Sequence, residues 1–119
     1  MDESSSTSTN SGGPYREQRQ FPRFTLIAAI NLREPESDTK IAGRVSEISR
    51  KGCYVDVMIQ LPEGTLLEIK ISRDNGVFES HGKIIYVQPG MGMGVVFTDP
   101  APEQLKVLDT WLVEIAASS

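Results

Sequence analysis

Two groups of residues in this 119-residue chain have types and spacings suited to binding chemistry. The first is Arg19 and Arg23, which flank Gln20-Phe21-Pro22. In an extended arm, residues four apart project to the same side. Two guanidiniums on one side suit a diphosphorylated or planar purine ligand. Each can fork onto phosphate oxygens or onto guanine O6 and N7, and each can stack on a base. The second group is Glu47-Ile48-Ser49-Arg50-Lys51-Gly52. A carboxylate here could accept hydrogen bonds from the Watson–Crick edge of guanine, and Ser49 could bond a ligand or the local backbone. Gly52 can take the positive φ that a tight connection often demands. On spacing alone the plainer readings are solvated charge for the arginines and a ligand-free polar turn for the second group.

Both groups need a scaffold. Residues 1–14, MDESSSTSTNSGGP, have no large apolar residue after Met1 and cannot offset their ordering entropy, so a disordered tail is expected there. One domain is expected over 15–117, beginning with an arginine-rich arm over 15–24 in which Pro22 biases Phe21 towards extended geometry. Strands are expected over 24–32, apolar on both faces, then over 39–47 and 52–58. Cys53, Val55 and Val57 alternate there with Tyr54 and Asp56. Residues 65–72 alternate cleanly, and Asp74-Asn75-Gly76 signals a hairpin. A long strand over 77–88 is expected to bulge near Gly82. In 91–97, Met93, Val95 and Phe97 share one face while Gly92 and Gly94 leave the other nearly bare. Leu105, Leu108, Leu112 and Ile115, widened by Val107 and Trp111, predict a helix over 100–116 with Asp99 as N-cap. About six antiparallel strands followed by one helix favour a small barrel or sandwich.

Composition narrows the function. The net charge of −4 disfavours DNA or RNA, whose non-specific binding needs many Lys and Arg contacts, and no exposed aromatic series for stacking single strands is evident. Any anionic ligand must be small and held locally. No run approaches the ~18 apolar residues of a membrane span. The lone Cys53 excludes an internal disulfide and, without a signal peptide, is consistent with a reducing cytoplasm. Cys53 reads as a small core residue, and His81 as structural or exposed, with no metal-spaced partners. Nothing resembles a P-loop or dinucleotide fingerprint, so neither an enzyme nor a resident cofactor or metal is expected.

Taken together, RQFPR, then a strand, then GRVSEISRKGCYVDV, then hairpins, then GMGVVF and a helix, the chain resembles the PilZ domain family. That family carries RxxxR at its start, [DN]xSxxG after the second strand and a late G-x-G-apolar strand. The resemblance implies a six-stranded antiparallel β-barrel with a C-terminal helix that receives the bacterial second messenger cyclic di-GMP. It assigns Arg19 and Arg23 to phosphates and guanine faces, and Ser49 and Gly52 to the receiving turn. Arg16 lies just outside the motif as an assistant. Glu47 stands where Asp or Asn is usual, one methylene longer. The implied role is a monomeric cytoplasmic receptor acting on a downstream protein effector. The alternative is a protein-interaction module of the same fold that no longer binds the nucleotide.

Overall fold

The computed structural model describes residues 22–74 and 76–118; the expected tail and most of the arm, including Arg16 and Arg19, lie outside these. Six strands follow one another: β1 (Phe24–Glu34), β2 (Thr39–Ile48), β3 (Gly52–Asp56), β4 (Leu66–Arg73), β5 (Gly76–Gln88) and β6 (Gly92–Thr98). They close into an antiparallel barrel in the order β1-β2-β3-β6-β5-β4. A single described helix, α1 (Pro102–Ser118), ends the chain. The barrel is the expected one, and the sandwich alternative falls away.

Alternation places the core. In β1, Leu26, Ala28, Ile30 and Leu32 point inward, while Thr25, Ile27, Ala29 and Asn31 face solvent. The outward face of β1 also carries apolar residues, Ile27 and Ala29, with Ile27 64% exposed. Val45, Ile48, Cys53, Val55, Ile69, Ile71, Ile84, Met93 and Val95 fill the interior, with Phe78 against Phe97 edge-on at 4.9 Å between ring centroids. Closure leaves no unpaired sheet edge along most of the wall.

One gap remains, and α1 fills it. β5 pairs with β6 only from His81 onward, so residues 76–80 have no strand on that side. The helix lies there: the Glu79 N–H donates to Gln104 Oε1 at 2.7 Å, and Trp111 packs against Gly76. Leu108 and Trp111 are buried, and Leu112 and Ile115 pack against the same core. The helix starts at Pro102, not residue 100. Ala101 O accepts from Gln104 N and Leu105 N, so Ala101 sits at the N-cap, and Pro102 takes the first position, where a missing N–H costs nothing. Asp99, the expected cap, turns the chain at φ 50° instead. No described helix is long and apolar enough to cross a membrane.

The bulge expected near Gly82 falls three residues further along β5, between Ile84 and Tyr86; Gly82 itself pairs regularly with Leu67 and Phe97, and a Cβ there would run into Ile69 and the Val96 carbonyl. The register also shifts between Thr25 and Ala28 in β1 and between Val45 and Glu47 in β2.

Candidate functional site

The shifts in β2 and β5 each redirect a side chain. Val45 is fully buried, so strict alternation would turn Glu47 into the core. The extra residue at Ser46 turns Glu47 to the outer wall, half exposed, and lets Ile48 return to the interior. The shift in β5 does the same: Ile84 is buried, Ile85 is the extra residue, and Tyr86 emerges outside. The resulting ladder positions run Thr25, Glu47, Tyr54, Gly94, Tyr86 across five strands. All of them face outward.

The glycines of β6 make this row a shallow cleft. A Cβ at Gly94 would sit 2.2 Å from the Tyr86 ring, and one at Gly92 would sit 2.8 Å from the Tyr54 ring and hydroxyl. The tyrosine rings thus occupy the space that side chains on this face of the strand would fill. Their ring centroids are 6.2 Å apart with planes inclined by 33°. The Tyr54 hydroxyl also donates to Gln88 Oε1. Arg23, Glu47, Ile48, Ser49, Gly52, Cys53, Tyr54 and Tyr86 line the cleft. Arg23 enters from the chain just before β1, and its Nη1 is 3.4 Å from Glu47 Oε1.

The turn between β2 and β3 is held from within. The Ser49 N–H donates to Gly52 O at 2.8 Å, and Lys51 N–H donates to Ser49 Oγ at 3.1 Å. Ser49 is 3% exposed, and its hydroxyl meets the local backbone and shapes the turn, one of the two roles open from sequence. Gly52 does not have a positive φ; among the described glycines only Gly64 and Gly90 do. The reason for glycine is close approach: a Cβ would lie 2.1 Å from the Val95 carbonyl oxygen of β6. Phe97 N–H donates to Lys51 O at 2.8 Å, fixing the same turn to β6. Arg50 reaches outward and grips Asp109 of α1 through Nε–Oδ1 at 3.0 Å.

Of the six expected site residues, Arg23, Glu47, Ser49 and Gly52 come together here, and Arg16 and Arg19 lie outside the described residues. Tyr54 and Tyr86 were not anticipated as site residues. Their signal was present in the bare Gly-x-Gly face of β6, which leaves room for rings from both neighbouring strands. Cys53 borders the cleft from inside; burial pushes its thiol up to about 12, so it is no nucleophile. No cluster of metal-ligating side chains occurs among the described residues. A larger cavity, about 880 Å³, lies away from this cleft, where Arg33, Lys40 and Lys70 are interleaved with Glu68, Glu79 and Asp99. Its charges cancel and it holds none of the motif residues, so it is the weaker candidate.

The cleft can therefore offer an anion one guanidinium, a purine edge one carboxylate, and a base two aromatic rings. A small closed barrel with a polar corner and its candidate site on the outer wall defines the class. Within that class the chain belongs to the PilZ domain family, whose sequence profile matches residues 17–114. Solved structures agree on the fold. The PilZ domain with c-di-GMP of YcgR from Escherichia coli aligns with a TM-score of 0.68 at 15% identity, covering 85% of this chain and 93% of that one. YcgR of Escherichia coli in complex with c-di-GMP aligns at 0.72 and 15% identity over 85% of this chain and 47% of its own length. The Bacillus subtilis inhibitor of motility, MotI/DgrA, aligns at 0.70 and 15% identity over 86% and 52%. This chain thus spans about half of the two longer proteins. A sequence search of curated proteins found no match.

Proposed function

We propose that this domain is a receptor for cyclic di-GMP, taking the nucleotide on its outer wall where Arg23, Glu47 and the Ser49–Gly52 turn meet. The observation that carries this reading is the β2 bulge. It turns Glu47 away from the core and sets it against Arg23, beside a turn that backbone bonds hold rigid. Arg19 and Arg16, from the arm ahead of Arg23, supply further guanidiniums for a ligand with two phosphates. The two YcgR structures are complexes with the same ligand, which supports the reading. Closure of the arm over a bound nucleotide would change the surface that a downstream cytoplasmic protein meets, with no chemistry performed on the ligand.

Calorimetric titration of cyclic di-GMP into the full chain tests this. Arg19→Ala and Arg23→Ala should each weaken binding roughly tenfold to a hundredfold, since a charge-assisted contact contributes about 1.5–3 kcal/mol. Unchanged affinity in both variants would remove the arginine pair from the account.

A second reading has one observation in its favour: Arg23 already has a carboxylate partner in Glu47. In that case the domain acts through protein contacts alone, and the wild type shows no heat at high micromolar nucleotide.

A further inference from the structure

Resting on the receptor reading, we propose that Tyr86, seated on Gly94 and flanked by Tyr54, is a stacking platform for one guanine base of the ligand. Three features converge on it. An aromatic residue two positions after a fully buried Ile84 belongs in the core by alternation, yet the extra residue at Ile85 brings the Tyr86 ring outside. The floor beneath it is a glycine whose missing side chain leaves room for the ring against the strand. Glu47 shares the ladder row, and Arg23 lies beside it. A base stacked on the ring would direct its edge along the row towards Glu47. Guanine offers two adjacent donors, N1–H and N2–H₂, on that edge, which one carboxylate accepts together; adenine offers one donor, N6–H₂, beside the N1 acceptor, so cyclic di-AMP should bind more weakly. The tyrosines thus add affinity through a π-face that every base has, and Glu47 adds the choice among bases.

The test uses the full chain, cyclic di-GMP and cyclic di-AMP, with calorimetry and the proton spectrum of the bound nucleotide. Stacking moves guanine H8 upfield in the wild type. Tyr86→Leu should cost roughly tenfold to a hundredfold in affinity and return H8 towards its free position. Tyr86→Phe keeps the ring and should recover most of both. Gly94→Ala touches no ligand but must displace the Tyr86 ring, so it should reproduce the Tyr86→Leu loss. Amide spectra establish that each variant is folded; if Tyr86→Leu is not, Gly94→Ala decides.

Wild-type binding that Arg23→Ala weakens but Tyr86→Leu and Gly94→Ala leave untouched, with H8 unmoved, overturns the platform alone. Wild-type protein that binds no nucleotide overturns the receptor reading and the platform together.

Discussion

Arg23 Nη1 lies 3.4 Å from Glu47 Oε1, so the carboxylate competes with any incoming phosphate for the same guanidinium. Both groups are close to half exposed, and such a pair contributes about 0–1 kcal/mol to stability. It is cheap to exchange. Aspartate is one methylene shorter and reaches Arg23 less well. Glu47→Asp is therefore expected to tighten cyclic di-GMP binding severalfold while moving the urea midpoint little. Equal or weaker affinity would show that the longer side chain is not what limits the site.

Gly52 makes a different kind of prediction, because its constraint is steric and internal. Gly52→Ala puts a Cβ 2.1 Å from the Val95 carbonyl oxygen, and both partners are ladder backbone that cannot swing aside. Forcing strands apart costs about 1–3 kcal/mol, as overpacking does in cores. Chemical denaturation should show a loss of that size with no ligand present. A variant as stable as the wild type would mean that β3 and β6 are not in the described register.

The alternating strands, the hairpins and the helix stripe were legible in the sequence because each depends on a local period, and closing the barrel buries those faces as the periods imply. The site was legible only in part. Glu47, Ser49 and Gly52 stand out in the sequence as one polar turn, and a bond from Ser49 to the local backbone was one of its two open roles, but Gly52 answers to a strand that arrives more than forty residues later, which spacing does not reveal. Tyr86 escaped notice because 84–87 reads as a buried apolar run; only the register of β6 forces the extra residue at Ile85 and turns the ring outward. The glycine at position 82 marks the neighbourhood of the β5 bulge but not its place, which is Ile85. At Gly82 the absent Cβ relieves crowding with Ile69 and Val96 and leaves the ladder regular.

Arg50 and Asp109 tie the site's turn to the C-terminal helix, with both side chains near half exposure. Asp109→Asn removes the negative partner and leaves the Arg50 charge beside the cleft. Stability should fall by at most about 1 kcal/mol. Affinity for the dianionic nucleotide should rise by roughly two- to threefold at low salt, and the gain should shrink at high salt as the exposed charges are screened. Amide shifts in the variant should reach Arg50–Gly52 as well as the helix. Shifts confined to the helix would show that the pair transmits nothing to the turn.

Cys53 supplies a pH dependence whose sign follows from its burial. Desolvation favours the neutral thiol, and the folded value is pushed up to about 12 from an ordinary 9.0. Below the ordinary value both folded and unfolded chains keep the proton, and the contribution to stability is fully present. Above it the unfolded chain loses the proton first, so stability falls as pH rises, by about 1.4 kcal/mol per pH unit while only the unfolded thiol is ionised. Lysines and tyrosines titrate in the same range, so the measurement is the difference between wild type and Cys53→Ala. The variant is less stable at neutral pH because it leaves a cavity beside Ile48 and Val95, but its stability should decline less steeply above pH 9. The same burial predicts that a thiol reagent labels Cys53 only as fast as the barrel opens. Parallel stability curves for the two proteins, or fast labelling of the folded chain, would mean that water reaches the inner side of β3.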